Sequence, residues 1–115
     1  MKILITEFME AKSVEFLQAN FDVIVDEDLS TDTNELKKII NNFDALIVRN
    51  KTQVNREVLE NATNLKFVGR LGVGLDNIDI EFCKTNNIHV QPATGMNANS
   101  VAEYVINTSL SLLKN

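Results

Sequence analysis

Ala45-Leu46-Ile47-Val48 is an unbroken apolar run that ends abruptly on the charge of Arg49. It is too short for a helix, and it does not alternate as a strand with one wet face does. It reads as a strand buried on both faces, the kind found in parallel sheets covered by helices. Four more short runs have the same character: Ile3-Leu4-Ile5, Val23-Ile24-Val25, Phe67-Val68-Gly69 and Ile88-His89-Val90. All five are expected to be covered on both sides.

Helical spacing fills the intervals. Residues 9–20 set Met9, Phe16, Leu17 and Ala19 among charges, and residues 33–42 bring Leu36, Ile39 and Ile40 to one side, with Phe43 following. Residues 55–62 carry Val58 and Leu59, and residues 79–86 carry Ile80, Phe82 and Cys83. Asp32 with Glu35 has capping-box spacing, and Asn55 and Asp79 stand where N-caps belong. Asn41-Asn42, Asn61 and Asn86-Asn87 supply the stops. Strands alternating with helices predict an α/β doubly wound fold: a flavodoxin-like five-stranded parallel sheet in the order 2-1-3-4-5, flanked by helices.

A last helix is expected over residues 99–113, with Ser100 and Glu103 at capping-box spacing. Val101, Ala102, Tyr104, Val105, Ile106, Leu110, Leu112 and Leu113 cover more than one stripe of it. A helix apolar on several faces is buried on several faces. The sequence stops at Lys114-Asn115 with nothing after it to cover the second face. The expectation is a chain cut short, or one whose cover comes from a partner, with a homodimer packed through this helix.

Composition bounds the function. The 115 residues suit one domain, and 44% hydrophobic with 23% charged residues is ordinary for a globular chain. A net charge of -5 disfavours nucleic acid or an anionic membrane as partner. One cysteine, Cys83, rules out a disulfide within the chain, and with the one histidine, His89, it cannot make a usual Cys/His zinc site. No metal site is expected. The N-terminal apolar run, Ile3 to Ile5, is too short for a signal peptide, and no stretch reaches the roughly 18 apolar residues of a membrane span. A cytoplasmic location is the expectation.

The fourth apolar run leads into Gly69-Arg70-Leu71-Gly72-Val73-Gly74-Leu75-Asp76-Asn77. The dinucleotide fingerprint Gly-x-Gly-x-x-Gly, counted from Gly72, needs a third glycine where Asn77 stands, and the next helix begins only near Asp79. The fingerprint is broken. Two readings of the segment remain: a tight turn, or a nest in which the N–H groups of Val73 and Gly74 receive an anion. Arg49-Asn50-Lys51-Thr52 ends the third run, and Arg49 reads as a bidentate anion partner or as a solvated strand-end charge. The 97–100 segment opens the last helix, where negative charge is favoured, although capping alone explains Ser100. All three segments follow strands, so they fall on the carboxyl edge, where open α/β sheets bind ligands. His89, within an apolar run, reads as structural, and Cys83, on the apolar side of a helix, as buried and inert. Asp76 and Asp79 resemble a carboxylate pair, but Asp79 is accounted for as a cap.

Taken in order, Leu46-Ile47-Val48-Arg49-Asn50-Lys51-Thr52, Asn64-Leu65-Lys66-Phe67-Val68-Gly69-Arg70, Gly72-Val73-Gly74-Leu75-Asp76-Asn77-Ile78-Asp79 and Asn97-Ala98-Asn99-Ser100-Val101-Ala102-Glu103 carry a likeness across the whole chain. The series resembles the N-terminal part of the D-isomer-specific 2-hydroxyacid dehydrogenases, in their phosphoglycerate dehydrogenase branch. The resemblance implies a flavodoxin-like substrate domain split by an inserted NAD-binding domain. Residues 1–98 would belong to the first, and 99–115 would form the interdomain helix leading to the second, missing one. It implies a small 2-hydroxyacid or 2-oxoacid as ligand and NAD as cofactor. Val73 and Gly74 would grip the carboxylate through N–H groups, Arg49 and Asn50 would contact the rest of the substrate, and Asn97 would lie near it. Val73 and Val101 would approach the nicotinamide. The family's catalytic histidine, its partner acid and its arginine would all lie beyond position 115, so this chain holds no catalytic residue and is expected to be silent alone. Pro92-Ala93-Thr94 and Asn50 depart from the pattern of many members and leave the acid unnamed.

A different class of reading is a free-standing flavodoxin-like module that binds a small carboxylate without turnover. A response-regulator receiver fits less well. It needs an acidic pair after the first strand and an aspartate after the third, where this chain has Thr6-Glu7 and Arg49-Asn50.

Overall fold

A computed structural model describes residues 1–72 and 74–92. Val73, Asn97, Val101, the expected helix over 99–113 and the boundary at 98 lie outside the described residues. The chain runs β1 (Lys2–Ile5), α1 (Ala11–Asn20), β2 (Asp22–Val25), a 3-10 turn (Glu27–Thr31), α2 (Thr33–Ile39), a second 3-10 turn (Ile40–Asn42), β3 (Ala45–Val48), α3 (Arg56–Glu60), β4 (Phe67–Arg70), α4 (Ile80–Thr85) and β5 (His89–Pro92). The five strands form one parallel sheet in the order β2-β1-β3-β4-β5. This is the predicted topology. Among the described residues no helix is long and apolar enough to cross a membrane.

The continuous apolar runs have two faces to fill. Leu4, Leu46, Val48 and Val68 pack with Leu36, Ile40, Val58, Leu59 and Cys83 from the α2, α3 and α4 side. Ile3, Ile5, Ala45, Ile47 and Phe67 pack with Met9 and Leu17 from the α1 side. Successive side chains of a strand point to opposite faces, so each central strand feeds both clusters, and β3 is buried along its whole length.

The caps form as read. Asp32 accepts from the N–H of Glu35 at 3.1 Å, Asn55 from that of Val58 at 3.0 Å, and Asp79 from that of Phe82 at 3.1 Å. Only half of the capping box forms at α2, since the Glu35 carboxylate lies 3.8 Å from the Lys38 ammonium. The helix expected over 33–42 ends at Ile39 and tightens into a 3-10 turn. The turn at Glu27–Thr31 was not expected. Asp26 starts it by accepting from the N–H of Asp28, and Leu29 anchors it in the core.

Burial on both faces fails at the sheet edges. Asp22, Ile24 and Val25 of β2 and His89 of β5 are exposed. Val23 packs on the α1 side, but the α2–α4 layer does not reach Ile24, which stays 41% exposed. An edge strand has a neighbour on one side only, so the cover over it is incomplete. His89 is accordingly an edge residue, stacked on Phe67 with ring centroids 6.0 Å apart. Cys83 is buried as expected, and burial, with the Asp79 carboxylate nearby, pushes its thiol up to about 11.

Candidate functional site

The strand order 2-1-3-4 brings the carboxyl ends of β1, β3 and β4 side by side. The segments that follow them, Thr6-Glu7, residues 49–52 and residues 71–77, therefore meet at one edge. Backbone bonds fix the junction: the N–H of Leu71 donates to the carbonyl of Val48 at 2.8 Å, and that of Thr6 to Ile47 at 3.2 Å.

Glu7 is the centre of this edge, at 6% exposure. One of its carboxylate oxygens, Oε2, accepts from the N–H of Arg49 at 2.6 Å, the N–H of Thr52 at 3.1 Å and the hydroxyl of Thr52 at 2.8 Å. The other accepts from the N–H of Lys51 at 3.0 Å. Burial pushes this carboxyl up. The donors on Thr52, Lys51 and Arg49 outweigh it and hold the group below its ordinary value. An ionised carboxylate only accepts, so the Thr52 hydroxyl spends its proton on Glu7. The Thr6 hydroxyl, 2.7 Å from that of Thr52, is then the donor of that pair.

Asn77 holds the same turn from the other side. Its side-chain amide donates to the carbonyls of Arg49 and Thr52, each at 2.8 Å. Both partners are carbonyls, so the nitrogen is fixed without ambiguity. The Asn77 carbonyl accepts from Val54 at 2.8 Å, and Asp79 donates to Val54 at 2.9 Å, which makes a small parallel bridge between Val54 and Ile78.

Gly72 and Gly74 have φ of +108° and +86°, the left-handed region that other residues enter at a cost. At Gly74 no atom of the described residues beyond its chain neighbours lies within 4 Å of where a Cβ would stand, so within the described residues the backbone angle is the constraint there. At Gly72 an added carbon would come within 2.8 Å of the Arg70 guanidinium.

Among the candidate residues, Arg49 and Asn50 lie side by side at this edge, and Gly74 lies on the turn whose Asn77 bonds the Arg49 carbonyl. The Arg49 side chain is exposed and donates to the Phe8 carbonyl at 3.3 Å. Asn50 is exposed between two hollows. One, of about 320 Å³, is lined by Glu7, Phe8, Arg49, Asn50 and Lys51 among others. The other, of about 210 Å³, is lined by Asn50, Gln53, Arg70, Asp76 and Asn77. Arg70 Nε and Asn77 Oδ1 are buried with no hydrogen-bond partner among the described residues. Val73, Asn97 and Val101 lie outside the described residues.

Glu7, Asn77 and Arg70 were not singled out from the sequence. The signal for Glu7 was available: a carboxylate two residues past the end of the first strand is set beside the end of the third strand by the order 2-1-3. Asn77 drew notice only as the residue that breaks the glycine fingerprint.

The described residues do not form a dinucleotide cradle. The 72–77 turn leads into the Val54–Ile78 bridge, and α4 starts only at Ile80 and has six residues. Among the described residues no helix N-terminus follows directly on the turn. Among the described residues no three side chains are grouped to hold a metal ion. The chemistry available is anion and polar-ligand binding.

Known proteins are similar to this chain in sequence and in fold. The family described as D-isomer specific 2-hydroxyacid dehydrogenase, catalytic domain, matches residues 3–114. An (S)-sulfolactate dehydrogenase from Chromohalobacter salexigens is 46% identical over 112 residues, 97% of this chain and 36% of its own length. A D-3-phosphoglycerate dehydrogenase from Archaeoglobus fulgidus is 37% identical over 107 residues, 92% of this chain and 20% of its own. Among solved structures, an NAD+-bound 3-phosphoglycerate dehydrogenase from Entamoeba histolytica superposes with a TM-score of 0.71 at 28% identity, covering 93% of this chain and 37% of that one. The chain thus spans little more than a third of the length of these relatives, or less.

Proposed function

The chain belongs to the D-isomer specific 2-hydroxyacid dehydrogenase family, within its catalytic domain, and from that premise we propose that it is the N-terminal part of an NAD-dependent enzyme that moves a hydride between C2 of a small 2-hydroxyacid and nicotinamide. The observation that carries this reading is the meeting of the 49–52 turn with the glycine turn at the carboxyl edge of the sheet, tied by Asn77.

In this reading residues 1–98 are substrate-domain sequence and 99–115 lead toward an NAD-binding domain. The Val73 and Gly74 N–H groups receive the carboxylate. Arg49 and Asn50 contact the remainder of the acid, and Asn97 lies alongside. NAD supplies the hydride acceptor when bound. Val73 and Val101 face it, while the cradle for its phosphates belongs to residues other than the described ones. The work of this chain is to bind and orient the acid. Sulfolactate and phosphoglycerate, named in the relatives, each carry a second anionic group. The exposed cations Arg49 and Lys51 on one turn favour such an acid. A cytoplasmic homodimer completes the proposal.

NMR titration of the chain with 3-phosphoglycerate tests the site. The expected result is weak binding, with shifts at Arg49, Asn50 and Gly74. Shifts confined to other regions, or none, overturn the assignment. For the parent enzyme, the next hundred residues of the reading frame should contain a strand followed by an intact Gly-x-Gly-x-x-Gly.

A further inference from the structure

We propose that Glu7 and Asn77 are positioning residues which, by gripping the 49–52 turn from opposite sides, hold its side chains ready for the acid and lock it to the glycine turn. This rests on the reading of that turn as a substrate contact.

The bonding of the turn separates backbone from side chain. Three of its N–H groups end on one buried carboxylate, and two of its carbonyls on one buried amide. A surface turn with only a connecting role has water for these groups. Here they are taken by residues far off in sequence, and one of these is an ionised carboxylate whose burial is costly without such donors. Thr52 is fully buried within the clamp. The side chains of Arg49, Asn50 and Lys51, by contrast, are all exposed. The clamp thus consumes the backbone and leaves the ligand-type side chains available. That is the condition for preorganised binding, in which the ordering cost is met before the ligand arrives.

Asn77 adds the second half. It ends the glycine turn, and one side-chain nitrogen joins it to two carbonyls of the other turn. The Asn77 side chain thus adds a direct tie between the two turns to the backbone bonds Leu71–Val48 and Val54–Asn77.

The test uses the 115-residue chain, reading backbone amide shifts and hydrogen exchange by NMR and titrating 3-phosphoglycerate. In Glu7→Gln the amide oxygen can keep the place of Oε2, but the new NH2 faces the N–H of Lys51. Exchange at Lys51 should rise at least about tenfold, while the core amides of Leu46 and Val68 stay native. Asn77→Ala should loosen Arg49 and Thr52 and weaken the ligand shifts at Arg49 and Asn50 by about tenfold. Thr52→Ser, which keeps the hydroxyl, should retain native values, and Thr52→Val should follow Glu7→Gln. Unchanged turn amides in Glu7→Gln and Asn77→Ala overturn the clamp. Loosened amides with unchanged ligand affinity reduce the pair to fold stabilisation and overturn the positioning role. A native chain with no ligand shifts at Arg49 or Asn50 refutes the substrate reading itself, and the proposal falls with it.

Discussion

Glu7 and Thr52 meet twice, through the Thr52 N–H at 3.1 Å and its hydroxyl at 2.8 Å, both on the same carboxylate oxygen. The carboxyl is therefore held below its ordinary value in the folded chain, its donors outweighing the opposing effect of burial. A group with a depressed folded pKa adds stability that is fully present above its unfolded value, about 4.3 for glutamate. That stability is lost as pH falls through the folded value. Glu7→Gln should therefore be less stable than the native chain at pH 7, and the gap should narrow steadily below about pH 4. Urea unfolding from pH 7 to pH 3 measures it. A gap that is constant across this range rules out the ionised clamp.

At the glycine turn the backbone angle, rather than space, sets the cost of substitution. Gly74 has φ of +86°, and no atom of the described residues beyond its chain neighbours lies within 4 Å of its missing Cβ. Gly74→Ala and Gly74→Val should each cost roughly 1–2 kcal/mol, the usual penalty for a side chain in the left-handed region. Gly74→Asn should cost less, because asparagine visits that region more readily. Thermal unfolding of the three variants gives the order. Variants as stable as the native chain would overturn the backbone cost.

The sheet was legible because each run of three or four apolar residues is short, unbroken and followed by a polar turn. The three side-chain caps were legible because Asp32, Asn55 and Asp79 stand directly before helical spacing. Edge exposure was not. Val23-Ile24-Val25 is as apolar as Ala45-Leu46-Ile47-Val48, and only the strand order puts the first at the rim. The candidate site was legible in its exposed parts, Arg49, Asn50 and Gly74, which resemble ligand-binding residue types. Glu7 and Asn77 were not, because a lone carboxylate or amide gives no local pattern. Their partners lie 25 to 45 residues away and are mostly backbone groups, which leave no trace in sequence.

The chain should not reduce NAD with 2-hydroxyacids. Proton transfer at the C2 hydroxyl by a placed side chain is typically worth 10²–10⁴-fold. Glu7, the carboxylate buried at the candidate edge among the described residues, is occupied by Arg49, Lys51 and Thr52. Absorbance of NADH with purified chain and a panel of lactate, glycerate, 3-phosphoglycerate and 3-sulfolactate should stay at baseline. Steady production abolished by Asn77→Ala would mean that the edge is a complete active site.

Self-association should run through residues 99–113. Val101, Val105, Ile106, Leu110, Leu112 and Leu113 cannot all lie on one stripe of a helix. If one stripe docks on the sheet, the others need cover. Burying a single such side chain contributes roughly 1.5–3 kcal/mol. Two or three left over offer several kcal/mol to any apolar surface, and in solutions of pure chain a second copy is the surface present. A two-fold contact presents the same patch from both copies and closes the assembly at a dimer. Val105→Glu with Leu112→Glu would set two charges from each copy into that contact, so the doubly substituted chain should sediment as a monomer while the native chain sediments as a dimer or larger. A native chain that remains monomeric at millimolar concentration removes the need for a partner over this segment.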